Sequence, residues 1–215
     1  MDGDHYFSAS PAAPDERRTL QVRLAGRDVD VLTASGVFSA HRLDLGTRVL
    51  LRTVPPPPAS GDLLDLGCGW GPLALTMAME SRQAHVWAVD VNERALDLVR
   101  RNASALGLTG VVAVRPDDVP DDVTLAALWS NPPIRVGKAA LHEMLGRWLP
   151  RLAPGAQGHL VVQRNLGADS LHAWLGDHLG PALVTERAGS AKGFRVLRVI
   201  RAGRRGRPSW RWGPR

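Results

Sequence analysis

From about residue 60 onward, short apolar runs alternate with longer amphipathic stretches. The runs at 63–66, 85–89, 111–114, 126–130, 159–163, 182–186 and 195–200 are rich in Val and Leu and read as seven strands. Between them, apolar residues recur at helical spacing over 72–81, 93–106, 138–152 and 169–179, which predicts helices. Strands that are apolar on both faces, separated by helices, point to an α/β fold with a mostly parallel seven-stranded sheet covered on both faces. Upstream the pattern changes. Segments 20–24 and 29–32 alternate in polarity and flank Ala25-Gly26-Arg27, which reads as a β-hairpin. A helix follows over about 43–54, and Pro55-Pro56-Pro57-Pro58 stops it and forms a stiff connector. The expected organisation is an N-terminal hairpin and helix extension over 1–60, a core over 61–200 and a tail over 201–215. No internal repeat is visible.

Composition narrows the class. A chain of 215 residues with 44% hydrophobic content suits one domain with a sizeable core. No apolar run approaches the length needed to span a bilayer, so no membrane partner is expected. Met1-Asp2-Gly3-Asp4-His5-Tyr6 is acidic and polar and does not read as a signal peptide. The single cysteine, Cys68, excludes an intramolecular disulfide and gives no metal cluster. The expectation is a cytoplasmic protein without a metal; the oligomeric state is open.

The formal charge is +6, carried almost wholly by Arg, since only Lys138 and Lys192 are Lys. Guanidinium offers a fork of donors and a flat stacking face, which suits phosphates and bases. Codon bias in a GC-rich genome accounts for the bulk excess equally well. The tail from 201 to 215 is more specific, with six Arg, two Trp and no acid. Its Gly and Pro residues break regular structure, so it is expected to be disordered alone. Arg interleaved with Trp neutralises phosphates and stacks on unpaired bases, which points to RNA. A solvated tail that aids solubility is the plainer reading.

Two elements carry chemistry. The first is Asp65-Leu66-Gly67-Cys68-Gly69-Trp70-Gly71, a strand end turning into a helix. Glycines let the backbone turn sharply and approach a ligand. The dinucleotide fingerprint fails, because Pro72 stands where its third glycine belongs. An acid two residues before the first glycine suits a cofactor with an ammonium and a sulfonium rather than a pyrophosphate. Asp90 ends the next strand, nineteen residues past Gly71, and is placed to hydrogen-bond both hydroxyls of a ribose. Val91 is expected to pack on an adenine face, and Asn92 reads as a helix cap.

The second element is Asn131-Pro132-Pro133-Ile134, at the end of the fourth core strand. Neither proline offers an amide hydrogen, so the carbonyls there stay free to accept. The Asn131 side-chain oxygen and the Pro132 carbonyl together suit the two hydrogens of an amine. Holding those hydrogens turns a conjugated lone pair toward an electrophile, a gain of orientation and proximity.

The pattern D-x-G-x-G-x-G, Asp90 and then N-P-P resembles the class I S-adenosylmethionine (SAM) dependent amino methyltransferases. Gly36-Val37-Phe38-Ser39, Leu43-Asp44-Leu45-Gly46-Thr47, Asn131-Pro132-Pro133-Ile134-Arg135-Val136-Gly137-Lys138 and Lys192-Gly193-Phe194-Arg195-Val196-Leu197 are similar, in order, to the small-domain proteins of the ribosomal small subunit methyltransferase C type. The resemblance spans roughly 5–200. It implies a Rossmann-like class I methyltransferase fold and SAM held by Asp65, Gly67, Gly69, Gly71, Asp90 and Val91. It also implies Asp117, in preference to Asp118, at the adenine amino group. Transfer would take place at Asn131, Pro132, Pro133 and Ile134, to the exocyclic amine of a guanine in ribosomal RNA.

Relatives often carry an aromatic residue after N-P-P, and Ile134 departs from this. The base would then be held by van der Waals contact or by Phe38, with Arg135 and Lys138 on phosphates. Full-length members also have a second, degenerate methyltransferase-like domain without a counterpart here, whose role the basic tail is expected to share. The partner would be ribosomal RNA or the small ribosomal subunit. Three other readings stay open: a glutamine N-methyltransferase acting on a translation protein, a non-catalytic RNA-binding module on the same fold, and a small-molecule amine methyltransferase, to which the basic tail gives no support.

Overall fold

The structure, a computed structural model, describes residues 14–203. The chain begins with a hairpin of β1 (Arg17–Leu24) and β2 (Arg27–Ala34). Its turn is two residues, Ala25 and Gly26, both at positive φ, as a tight hairpin demands. Helix α1 (Leu45–Thr53) follows, and then comes the repeating unit of the core: β3 (Ser60–Leu66), α2 (Pro72–Glu80), β4 (Gln83–Val89), α3 (Glu93–Ala105), β5 (Val111–Val114) and β6 (Leu125–Ser130). The second half holds α4 (Lys138–Trp148), β7 (Leu152–Gln163), α5 (Ala168–His178), β8 (Leu183–Ala191) and β9 (Phe194–Arg201).

The seven core strands form one sheet in the order β5-β4-β3-β6-β7-β9-β8. β3 to β7 pair in parallel, and β9 inserts antiparallel between β7 and β8. The fold is therefore the Rossmann-like methyltransferase architecture expected, with the hairpin at its N-terminal side. The chain winds one way from β3 through β5 and the other way from β6. Between β3 and β6 it leaves a crevice at the carboxyl ends, the usual ligand position in such sheets.

The hairpin shares the core rather than standing apart. Val22, Leu24 and Val31 join the same buried cluster as Leu73, Leu75 and Met77 of α2. This explains why α2 is buried continuously from Pro72 to Ala78 and not only along one stripe. Asn102 of α3 ties the layers. Its Oδ1 accepts from the Leu32 amide (2.6 Å), while its Nδ2 donates to the carbonyls of Leu32 (3.0 Å) and Trp70 (3.1 Å).

Several boundaries differ from the periodicity. The helix expected over 138–152 ends at Trp148, and a 3-10 turn at Leu149–Arg151 follows, because Pro150 cannot donate to the α-helical ladder. β7 then starts at Leu152, well before the apolar run. β9 runs through Arg201, the first residue of the expected tail; residues 204–215, with both tail Trp, lie outside the described residues.

Candidate active site

The glycine loop and the N-P-P segment meet at the crevice. Gly67, Gly69 and Gly71 all have φ between 53° and 96°, the left-handed region open to glycine. Gly71 is also sterically obligatory, since a Cβ there would stand 2.9 Å from Val99 Cγ2. The loop touches both neighbours of the crevice: a Cβ on Gly67 would lie 3.7 Å from Pro133 Cδ, and one on Gly69 would lie 3.9 Å from the Phe38 carbonyl. On the floor, buried Ser130 donates to the Leu66 carbonyl (2.6 Å), clasping the ends of β6 and β3 where their backbones part.

Two carboxylates flank the loop. Asp65 is fully buried; its Oδ2 accepts from the Ala74 amide in the first turn of α2 (2.9 Å). Its Oδ1 is buried with no partner among the described residues. Burial pushes the Asp65 carboxyl up to about 7; the Ala74 bond opposes this and the Asp90 charge adds to it. Asp90, just past β4, accepts from the Gly69 amide through Oδ2 (2.9 Å) and the Asn92 amide through Oδ1 (3.0 Å). Burial raises its carboxyl too, against the pull of these amides. Cys68 is buried between the acids, and burial raises its thiol well above the usual range, so it stays protonated and unreactive.

The segment before α1 forms the other wall. Arg94 donates to the Ser35 carbonyl (2.6 Å), Asn92 Nδ2 to the Gly36 carbonyl (2.9 Å), and the Trp70 indole to the Ser39 carbonyl (3.3 Å). Three side chains, from the loops after β3 and β4 and the first turn of α3, thus hold Phe38 at the cleft mouth, where it is 45% exposed. Asn92 also caps α3 as expected, accepting from the Arg94 and Ala95 amides.

Asn131 follows β6 and lines the same cleft. Its Nδ2 donates to Asp44 Oδ2 (2.9 Å) and to Thr47 Oγ1 (3.1 Å). A carboxylate only accepts, so these contacts fix which end of the carboxamide is nitrogen. Among the described residues, nothing engages Asn131 Oδ1 or the Pro132 carbonyl, whereas the Pro133 carbonyl accepts from Val136 (3.2 Å). The same Asp44 oxygen caps α1 by accepting from the Thr47 amide (3.1 Å). The signal for Asp44 was present as a cap residue three before Thr47, but nothing local connects it to Asn131.

Val91, Asp117, Ile134 and Lys138 are not among the residues that line the cleft. Val91 is half-buried, and its carbonyl accepts from Arg115 (3.2 Å). Asp117 is exposed and paired with Arg147 of α4 (2.7 Å), outside the cleft lining. Ile134 packs on the core beneath α4. Lys138 is exposed at the start of α4, and the Arg135 side chain lies outside what the structure describes. Among the described residues no group of three or more potential ligands could hold a metal, and no helix is long and apolar enough to cross a membrane.

Known proteins share this arrangement of elements. The family model of the methyltransferase small domain matches residues 28–198. The uncharacterized protein YbxB of Bacillus subtilis is 31% identical over 199 residues, covering 91% of this chain and 98% of that protein. The ribosomal RNA small subunit methyltransferase C of Pseudomonas aeruginosa is 33% identical over 202 residues, covering 90% of this chain but only 58% of its own length. Among solved structures, a 16S rRNA N2 methyltransferase of T. thermophilus, in complex with AdoMet and guanosine, superposes with a TM-score of 0.75. It is 24% identical, and the match covers 87% of this chain and 51% of that one.

Proposed function

This chain belongs to the methyltransferase small domain family, whose methyl donor is SAM, and on that premise we propose that it methylates the exocyclic amine of a guanine in small-subunit ribosomal RNA. The observation that carries the proposal is the state of Asn131. Both hydrogens of its carboxamide nitrogen are taken by Asp44 and Thr47, which leaves Oδ1 as an acceptor at the cleft; the carbonyl of Pro132, the next residue, is likewise unengaged among the described residues. Two acceptors suit one amine with two hydrogens. The relatives named for ribosomal RNA methylation, and the guanosine bound by the structural neighbour, support guanine as the base that carries it.

The residues present fit the donor. Asp65 Oδ1 is a buried oxygen without a partner among the described residues, and a carboxylate there suits an ammonium. The left-handed glycines clear room for a ligand against the loop, and Asp90 stands at the strand end where ribose hydroxyls are usually bound. The two carboxylates that flank the loop, Asp65 and Asp90, disfavour a phosphate and favour a cation. When bound, SAM supplies a methyl group activated by a positive sulfonium.

The protein's own part is orientation. Asn131 and Pro132 hold the amine hydrogens, so the nitrogen lone pair is turned out of conjugation with its ring and toward the methyl donor. No strong base is required, because the nitrogen becomes acidic as it gains the methyl and its proton can pass to water. Phe38, exposed at the mouth, offers a face for the base to stack on, and half-buried Ile134, next to the clamp, is proposed to hold the base by van der Waals contact. Lys138 and Arg135 are proposed phosphate contacts.

The test is transfer of labelled methyl from SAM into small subunits from cells lacking this protein, with RNA and protein counted separately. Label in RNA that Asn131→Ala abolishes, with SAM affinity kept within a few fold, is the expected result. Label confined to protein would replace this reading with glutamine methylation, and no label in either would remove the ribosomal substrate.

A further inference from the structure

The wall opposite the glycine loop is built around a single carboxylate oxygen. Asp44 Oδ2 accepts the Thr47 amide at 3.1 Å and the Asn131 Nδ2 at 2.9 Å. Thr47, itself buried, takes the other Nδ2 hydrogen on Oγ1 at 3.1 Å. Gly46 makes this possible. A Cβ there would lie 2.9 Å from Asp44 Oδ2 and 2.9 Å from Phe194 Cε1, so any side chain would press on the carboxylate and the ring together. Asp44, Gly46 and Thr47 therefore serve one target, the nitrogen end of the Asn131 carboxamide, 87 residues away in sequence.

We propose that Asp44, assisted by Thr47, is a positioning residue for methyl transfer that acts through Asn131. The inference rests on the amine-clamp reading above. Two effects follow. A carboxamide free to rotate would present its nitrogen to the amine as readily as its oxygen; anchoring both Nδ2 hydrogens leaves only the oxygen facing the cleft. A negative charge behind the N–H end also polarises the amide, which strengthens Oδ1 as an acceptor. As the target nitrogen attacks, it gains positive charge and its hydrogens become stronger donors. The chain from carboxylate through carboxamide to amine is thus worth more in the transition state than in the ground state. Asp44 touches neither donor nor amine in this account.

A helix-capping role has to be separated from this one. Ser caps a helix about as well as Asp, but the substitution Asp44→Ser removes the charge and leaves too short a reach to hold the Asn131 nitrogen. Asp44→Ser in the full-length protein should therefore melt within a few degrees of wild type and bind SAM within about twofold. Its kcat for methyl transfer to small subunits should fall about 10- to 100-fold, the range for losing a hydrogen bond to a charged group. Thr47→Val should fall less, and Thr47→Ser should recover most of that loss.

A second readout needs no substrate. In spectra of 15N-labelled protein, the Asn131 Nδ2 protons, assigned by their disappearance in Asn131→Ala, should be shifted downfield and slow to exchange. In Asp44→Ser they should move to the positions of free carboxamides. Wild-type kcat in Asp44→Ser beside a dead Asn131→Ala would overturn the positioning role and leave the clamp intact. Free-carboxamide shifts already in the wild type would overturn it whatever the substrate. Wild-type activity in Asn131→Ala would remove the clamp itself, and the positioning role with it.

Discussion

Replacing Asp65 by Asn should make the ligand-free protein more stable at alkaline pH while removing its hold on the methyl donor. Asp65 is fully buried, one oxygen rests on the Ala74 amide and the other has no partner among the described residues. Burial pushes its carboxyl up to about 7, against a value near 4 in the unfolded chain. Between these values the native state holds a proton that the unfolded state has lost. Stability therefore falls as pH rises through this window, and it is lowest above pH 7. From pH 5 to pH 8 about two pH units of the window are crossed. At roughly 1.4 kcal/mol per unit this costs about 3 kcal/mol.

Urea unfolding of wild type and Asp65→Asn at both pH values isolates the term together with its coupling to Asp90, because His159 and the other titrating groups distant from Asp65 are common to the two proteins and cancel. The expected double difference is about 3 kcal/mol in favour of the Asp65→Asn variant at the higher pH. SAM should reverse the ranking, since an ammonium at Asp65 compensates the buried charge in the wild type alone. Wild-type affinity should fall by up to about tenfold per unit below pH 7, where the carboxyl must first lose its proton. A double difference that stays flat within about 0.5 kcal/mol, or unchanged SAM affinity in Asp65→Asn, would refute the argument that this carboxylate is held strained for a cation.

Three other outcomes are expected. Asp90→Ala should weaken SAM binding by about 1–3 kcal/mol in calorimetric titration, and its loss should also loosen the loop, whose Gly69 amide it accepts. Gly71→Ala places a methyl 2.9 Å from Val99 Cγ2 on a backbone at φ 96°, and should destabilise by about 1–3 kcal/mol in thermal unfolding. Burial, with Arg198 nearby, pushes His159 down to about 4, so it stays neutral while its unfolded counterpart, near 6.5, gains a proton. Stability should then fall as pH drops from about 6.5 toward 4. His159→Gln should lose about 2 kcal/mol of that slope between pH 6.5 and 5, as measured by urea unfolding.

Much of this site is readable along the chain because its chemistry is local. The loop from Asp65 to Gly71 is one strand end and one turn, and three left-handed glycines are what such a turn needs. Asp90 is legible as an acid at a strand end, and Asn131-Pro132-Pro133 as a place where amides cannot donate. Hydrophobic period alone separates the five helices from the strands and sets the α/β class. Where it misplaced a boundary, a local exception was responsible: Pro150 ended α4 early, and the polar first half of β7 is an irregular bulge between Leu152, which pairs with Leu125, and Gln157, which pairs with Ala127.

Period says which face a residue takes but not which strand lies beside it, and the crevice depends on the latter. Placing β6 next to β3 sets Asn131 against the glycine loop and lets Ser130 clasp Leu66. Packing α1 across β7 and β9 brings the cap of that helix to the Asn131 carboxamide. The residue kinds were therefore determined by the sequence itself: an acid at a strand end, a carboxamide before two prolines and glycines at a turn. Their partners were decided by the tertiary structure alone. A hydrogen bond spans about 3 Å, and only the order of strands and the docking of α1 bring groups 87 residues apart within that reach.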